Sequence, residues 1–517
     1  MKKRYLKLCL LTLLALICCA PAASASVKIG DLYYNLYSSS KTASVTSSIY
    51  NISGDLVIPS AVDYDGATYS VTEIGRRAFY NRDGLTSVTI PNSVTEIGSS
   101  AFYGCTGLTS VTIPNSVTTI DRYTFTDCTG LTSVTIPNSV TVIGSSAFCG
   151  CSGLTSVTIP NSVTTIYNNT FRGCLGLTSV TIPSSVTTIY DYAFRDCSAL
   201  TSVNIEDLAA WCNIKFYNEE TNPLYYAHHL FLNGIEVKDL VIPDSVTTIN
   251  TRAFICCSGL TSVTIPNSVT EIGYSAFKDC DGITSVTIGN SITSIDNYAF
   301  YSCNDLTSVH INDLAAWCNI KFGNKDSNPL YYANYLYLNS QEVKDLVIPD
   351  SVTTINDFAF SCCAGLTSVT FPNSVTEIGD YAFVWCSRLT SLTIPNSVTK
   401  IGHYAFNLCN SLTEIYCLPE IPPTITDDTF DDQHYNNATL NVPTGKVQDY
   451  KLATGWCRFS DIKPYDFSGV DDIATEGGAD GVKVVGYYNT HGIRADVPWQ
   501  GINIAVYSDG TRRKLVK

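Results

Sequence analysis

The hydrophobic pattern repeats every 23 residues. The block LTSVTIPNSVTEIGSSAFYGCTG begins at Leu85 and recurs from Leu108, Leu131, Leu154, Leu177 and Leu200, from Leu260, Ile283 and Leu306, and from Leu366, Leu389 and Leu412. Val88 and Ile90 stand two apart, so they share one face of a predicted strand, with Thr86, Ser87 and Thr89 directed away from the core. Pro91 cannot donate to a ladder and ends that strand. Val94 and Ile97 bring the chain inward again as a second short strand. Ala101, Phe102 and Cys105 then turn it at the back, through a short helix or 3-10 turn. One block cannot bury its own apolar face, so the pattern predicts stacked coils whose Leu, Val, Ile, Phe and Cys side chains form ladders in one continuous core.

The steps from Leu200 to Leu260 and from Leu306 to Leu366 each hold one repeat and 37 further residues. The additions are copies: DLAAWCNIKFYNEETNPLYYA from Asp207 and DLAAWCNIKFGNKDSNPLYYA from Asp313. DLAAWC reads as a short helix with its tryptophan and alanines toward the core. NPLYY reads as an exposed loop or hairpin, giving two protrusions on one flank, near 206–242 and 312–348. The strand positions from Ile58 to Val442 count out 16 coils, a rod or arc roughly 70 Å long at the usual strand spacing. Residues 26–58 are predicted to be an N-terminal cap, 59–412 the solenoid and 413–466 a C-terminal cap that departs from the period at PEIPP. Residues 467–517 form an acidic linker and a small β-rich tail module.

Composition changes the picture at three points. A length of 517 residues would ordinarily mean several domains, but a repeat array is one body at any length. Charged residues are 15% of the chain, too few for a coiled coil or a charged disordered chain. The net charge of −15 opposes nucleic-acid binding. Residues 1–25 have the form of a secretory signal: Lys2, Lys3, Arg4 and Lys7, an apolar run from Leu8 to Ala20 too short to span a bilayer, and Ala23-Ser24-Ala25 as a cleavage pattern. The predicted protein is exported, secreted or held at the outer cell surface, with no integral membrane segment after signal removal.

No catalytic constellation emerges. The motifs of serine hydrolases, zinc proteases, P-loops and dinucleotide folds are missing, and the repeated hydroxyls have no base beside them. No cofactor is implied. Cys105, Cys128, Cys151, Cys174, Cys197, Cys257, Cys280, Cys303, Cys363, Cys386 and Cys409 form a ladder of buried, small, weakly polar groups. Export and ladder spacing would also permit disulfides. Adjacent cysteines such as Cys256 and Cys257 point apart, so no metal site is expected.

Two features are candidates for binding. The outward strand positions, Thr-Ser then Thr in coil after coil, form a hydroxyl field suited to hydrogen-bonding a glycan or an extended polymer, or merely to life on an exposed strand. The residue before the Ala-Phe pair is often aromatic: Tyr123, Tyr192, Tyr298, Phe358, Tyr381 and Tyr404. These rings suit recognition, or they cover the Phe ladder. Tyr225, Tyr226, Tyr331 and Tyr332 of the additions join them as candidate ligand-binding residues.

LTSVTIPNSVTEIGSSAFYGC resembles the repeat of BspA-type leucine-rich repeat proteins, surface and secreted proteins of Bacteroidetes and some other microbes. The resemblance spans about residues 30–466. It implies a leucine-rich-repeat solenoid, no catalysis, and adhesion to host extracellular or mucosal proteins, glycans or other microbial surfaces. A polysaccharide-capture or surface structural role in glycan utilisation is the alternative. The tail GVKVVGYYNTHGIRADVPWQGINIAVYSDGTRRKLVK resembles the sorting domain of the type IX secretion system, although YNTHGIRAD replaces the commoner Tyr-x-x-x-Gly-Arg stretch. A small β-module on an acidic linker is the other reading of this tail.

Overall fold

The computed structural model describes residues 26–47 and 52–467, together with the backbone of four tail strands. The predicted export signal and the acidic linker lie outside the described residues. The chain forms two compact units, Met1–Ile235 and Glu236–Lys517, and each is a run of a β-solenoid with a period of about 23 residues.

In the first unit the front strands form one parallel sheet. It runs from Gly54–Val57 through Leu85–Thr89, Ser110–Thr112, Ser133–Thr135, Ser156–Thr158, Ser179–Ile182 and Ser202–Ile205 to Leu230–Leu232. Each strand pairs in register with its copy one repeat on, Val111 opposite Val134 and Val157 opposite Val180. The second short strands are pairs such as Glu96–Ile97 and Thr119–Ile120. The predicted N-terminal cap is an antiparallel hairpin. Leu32–Tyr37 pairs with Thr42–Thr46, burying Leu32, Tyr34 and Leu36, and the hairpin joins Ala67–Ile74 of the back sheet.

The second unit has two front sheets. The first contains Asp239–Val241, Ser262–Thr264, Ser285–Thr287, Ser308–Ile311 and Leu336–Leu338, closed by an antiparallel hairpin to Gln341–Glu342. The second runs from Asp345–Val347 through Ser368–Thr370, Ser391–Ile394, Glu414–Cys417 and Thr439–Pro443 to Asp461–Tyr465. The predicted C-terminal cap thus keeps adding parallel strands while its loops lengthen. Buried Phe430, Tyr450, Trp456 and Phe459 close the core there. In the tail, Val484–Asn489, Arg494–Ala495, Ile502–Tyr507 and Arg512–Val516 form an antiparallel sheet.

The back turn is neither a helix nor an isolated 3-10 turn, and its backbone hydrogen bonds show why. Alternate amides bond within the coil, three residues back: Ala101 to Gly98, Tyr103 to Ser100 and Cys105 to Phe102. The amides between them bond to the next coil: Ser100 to Arg122, Phe102 to Thr124 and Gly104 to Thr126. Pointing every second amide out of the coil requires alternating backbone hands. The residue before the alanine, or before Thr124 and Thr170 where threonine replaces it, is left-handed in these turns, with φ between 53° and 63° at Arg77, Ser100, Tyr123, Ser146, Asn169, Tyr192, Arg252, Ser275, Tyr298, Phe358, Tyr381 and Tyr404. So is the residue before the ladder cysteine, including Asp127, Asp196, Asp279, Trp385 and Leu408. The buried amides are satisfied by this stacking itself, so a coil needs its neighbours for hydrogen bonds as well as for burial. Phe79, Phe102, Phe125, Phe148, Phe171 and Phe194 stack at 5.1 to 5.6 Å inside the turn.

The 37-residue additions correct one expectation. NPLYY is not a protruding loop. In the second addition, Asp313 caps the helix Leu314–Cys318, accepting from the Ala316 amide. Lys321–Phe322 pairs with Ser294–Ile295. Leu330–Ala333 is a helical turn with Leu330 and Ala333 buried, and Leu336–Leu338 re-enters the front sheet. The first addition repeats the arrangement with helices Leu208–Cys212 and Leu224–Ala227. Each addition is an enlarged coil. The sequence reading missed this because the apolar spacing changes from strand-like to helical inside it while the front-strand register is kept.

Candidate binding surface

The hydroxyl field of the front face is half committed. The first threonine of each strand donates to the carbonyl of its counterpart one coil earlier: Thr109 to Thr86 at 3.1 Å, Thr178 to Thr155 at 3.0 Å, Thr307 to Thr284 at 3.0 Å. Where a run begins, an aspartate receives both hydroxyls of the next strand. Asp55 accepts from Thr86 and Ser87, Asp239 from Thr261 and Ser262, and Asp345 from Thr367 and Ser368. These bonds hold Asp55 and Asp239 below the ordinary carboxylate range. They are structural bonds that leave the serine and the outer threonine of a strand, such as Ser110 and Thr112 or Ser133 and Thr135, as exposed hydroxyls.

The aromatic column before the alanine is on the surface. Tyr123 is 42% exposed, and Tyr192, Tyr298 and Tyr404 are similar. Covering the Phe ladder does not require these rings, since Ser100 and Ser146 hold the same place while Phe102 and Phe148 stay fully buried. All six stand in the left-handed region, where bulky side chains are rare and unfavourable by roughly 1–2 kcal/mol. Their settings differ. Tyr192 lies against the Arg195 guanidinium, 5.0 Å from the ring centre. Tyr298 meets Tyr274 and Tyr301 edge-on. Phe358, Tyr381 and Tyr404 form a continuous stack at 5.0 and 4.9 Å with planes 7° and 19° apart.

The tyrosines of the additions divide into two pairs. Tyr226 and Tyr332 complete the backbone. The Tyr226 hydroxyl accepts the Asp196 amide at 3.0 Å, and the Tyr332 hydroxyl accepts the Ser302 amide at 2.9 Å while donating to Asp326. In an ordinary turn the next coil's carbonyl takes that amide; the enlarged coil supplies a phenol in its place. Burial pushes the Tyr332 hydroxyl well above its ordinary pKa. Tyr225 and Tyr331 are half-buried, each packed edge-on against its neighbour. Tyr331 also accepts from Lys325 at 3.0 Å and lies 6.4 Å from Trp385.

A second exposed stack went unread in the sequence: Tyr167, Tyr190 and Tyr217, at 5.9 and 4.8 Å. These residues follow the second strand's isoleucine or phenylalanine, a place that other coils give to glycine, aspartate or asparagine. A side-chain carbon at Gly98 or Gly144 would sit 2.8 or 2.6 Å from a backbone amide of the preceding coil. Three consecutive departures from glycine were the available signal.

The cysteine ladder is a packing device. Cys105, Cys128, Cys151, Cys174 and Cys197 are buried thiols, each donating to the phenylalanine carbonyl of the preceding coil at 3.1 to 3.2 Å. Cys280, Cys303, Cys386 and Cys409 do the same. Burial pushes the Cys197 and Cys363 thiols up to about 12. Among the described residues no three His, Cys, Asp or Glu side chains converge to hold a metal ion, and no helix is long and apolar enough to cross a membrane.

The BspA type leucine rich repeat region matches in six copies over residues 72–201, 226–324 and 331–453. Among solved structures the chain is similar to a leucine-rich repeat protein from Bacteroides ovatus, at 28% identity over 76% of this chain and 94% of that one, with a TM-score of 0.47. It is also similar to a leucine rich cell surface protein from Faecalibacterium prausnitzii, at 28% identity over 77% and 96%, with a TM-score of 0.37. A third is the leucine rich repeat protein of T. pallidum, at 31% identity over 35% and 85%, with a TM-score of 0.32. No curated protein matches the chain. With six repeat regions spread from residue 72 to 453 on coils whose period and ladders match the resemblance read from the sequence, the chain belongs to the BspA type leucine rich repeat family.

Proposed function

We propose that this is a non-enzymatic, exported binding protein, displayed at the cell surface or secreted, and used as an adhesin. Its ligands are host extracellular or mucosal proteins, their glycoconjugates, or the surfaces of other microbes. Family membership supports a protein-binding repeat scaffold, but a scaffold does not by itself specify a ligand. One observation carries the reading further. Six large aromatic residues are held on the surface in a backbone conformation that disfavours them, where the same scaffold elsewhere uses serine, asparagine or arginine. Strain kept at exposed positions that the core does not need is a mark of use.

The stacked rings favour a protein ligand over a polysaccharide. Sugars bind aromatic side chains through an open ring face, and within the Phe358–Tyr381–Tyr404 stack the faces cover one another. What the stack offers is a strip of ring edges rimmed by hydroxyls.

The test is binding of the full chain, lacking only 1–25, to arrays of matrix proteins, mucins and glycans. Saturable binding that falls when Phe358, Tyr381 and Tyr404 are changed together to asparagine is expected. Asparagine is chosen because Asn169 already occupies this column. Absence of any ligand above background would overturn the proposal.

A further inference from the structure

In the second unit three consecutive turns carry apolar side chains on both of their left-handed columns. The column before the alanine holds Phe358, Tyr381 and Tyr404, and the column before the ladder cysteine holds Cys362, Trp385 and Leu408. The corresponding residues of three turns in the first unit are Ser100, Tyr123 and Ser146, then Gly104, Asp127 and Gly150. Trp385 is 47% exposed with φ 63°, and no core role accounts for an indole there. Val384 lies half-buried between the two columns, and Tyr331 extends the patch to Trp385.

The patch has a charged border. Beside the ring stack run Asp357 and Asp380. Asp357 accepts the Asp380 amide at 2.7 Å, and Asp380 accepts the His403 amide at 2.8 Å. Each bond uses one carboxylate oxygen and leaves the charge. Glu377 is paired with Lys400 and Asp428 with His403. On the tryptophan side stand Lys325, bonded to Tyr331, and Arg388. The acidic excess therefore lies along the ring stack.

We propose that this face of the second unit is a docking surface for a polypeptide that presents apolar or aromatic anchors flanked by lysine or arginine. Trp385 and Tyr381 are the central contacts, and Asp357 and Asp380 receive the basic groups. An anchor of this kind buries ring edges and the indole. The stems of lysine or arginine lie along the rings while their heads reach the carboxylates. The whole-chain charge of −15 favours the same partner through long-range steering. The proposal rests on the binding-protein reading above, and the experiment separates the two.

The probes are two fluorescent peptides of about twelve residues, one alternating Phe or Leu with Arg, the other alternating the same apolar residues with Glu. They are titrated against the full chain lacking 1–25 at low and moderate salt. The arginine peptide is expected to bind saturably and more weakly as salt rises, and the glutamate peptide to bind at least tenfold more weakly. Trp385→Ser should lower affinity at least tenfold. Asp357→Asn with Asp380→Asn should do likewise while keeping the oxygens that accept the two amides, and an unchanged thermal transition confirms that this variant folds. Leu175→Ser, an exposed position on the first unit outside the aromatic columns, should change affinity less than twofold. Failure of the arginine peptide to bind, equal binding of both peptides, or unchanged binding by the Trp385 and aspartate variants would each overturn the docking surface. A matrix ligand captured equally by these variants and the unaltered chain would leave the adhesin reading standing and remove the patch. Peptide binding as described with no matrix or glycan ligand would do the reverse.

Discussion

Tyr123 and Tyr381 occupy the same place in their coils with nearly the same backbone, φ 60° and 57°. Replacing each with asparagine relieves the same left-handed strain, so that contribution cancels when the two variants are compared. What differs is the neighbourhood. Tyr123 stands between Ser100 and Ser146 in its column, whereas Tyr381 is sandwiched between Phe358 and Tyr404 at 5.0 and 4.9 Å. A stacked aromatic pair is worth about 0.5–1.5 kcal/mol beyond area burial. Tyr381→Asn should therefore cost about 1–3 kcal/mol more than Tyr123→Asn, the latter being close to neutral because relief of strain offsets the lost ring contact. Urea unfolding followed by circular dichroism reads the difference. A repeat array need not unfold in one step, so amide exchange at Phe383 and Phe406, against Phe125 and Phe148, reports the local effect. Equal destabilisation by the two variants would refute the claim that the stack is a coupled unit. Strong destabilisation by Tyr123→Asn would refute the claim that its ring is dispensable to the fold.

Other consequences are open to direct measurement. Alkylation of the native chain at pH 8 should modify exposed Cys457 quickly and ladder thiols such as Cys197 and Cys363 only after unfolding, because burial both shields them and pushes them up to about 12, which keeps them protonated; mass spectrometry of labelled peptides shows this. Tyr332→Phe should cost about 1–2 kcal/mol by leaving the Ser302 amide without its acceptor, with faster exchange at that amide, whereas Tyr331→Phe should be much milder. The Asp428 carboxylate beside His403 raises the imidazole above its ordinary value. The stabilising contribution of this pair is present below about 6.5 and is lost as pH rises through the raised value, and Asp428→Asn should return the His403 titration, followed by NMR, toward the ordinary one.

Much of this architecture was legible because a short repeat reports its own structure many times over. Leu85, Val88, Ile90, Val94, Ile97, Phe102 and Cys105 recur at fixed spacing, and all seven are buried. What the spacing could not reveal was the hand of the backbone. Asn169 before the Thr-Phe pair, and Gly104, Gly150 and Gly173 before the ladder cysteine, hinted at left-handed sites, but the tyrosines in the first column hid it. The enlarged coils were misjudged for a related reason. NPLYY has the polar start and aromatic pair of a surface loop, and only the amides of Asp196 and Ser302, which need an acceptor, explain why Tyr226 and Tyr332 turn inward. The Tyr167 stack was overlooked because its column is elsewhere glycine or a short polar residue such as Asp121 or Asn250, and comparison of coils drew attention to the turn beside it.

The distribution of variation ties these findings to function. A front face whose first threonines are bonded coil to coil must repeat itself, since each hydroxyl is part of the lattice that holds the next strand. The left-handed columns are under no such demand. Their amides and carbonyls make the lattice, and their side chains range from buried Ser275 and Cys362 to exposed Tyr123 and Trp385, so small and large residues alike are admitted, the bulky ones at a cost of about 1–2 kcal/mol. Selection for binding can therefore act there without disturbing the ladders, and the residues found there range from Ser100 and Asn169 to Tyr404 and Trp385. In this solenoid the surface able to diversify is the back turn, and the sheet that looks like a hydroxyl platform is largely the price of stacking.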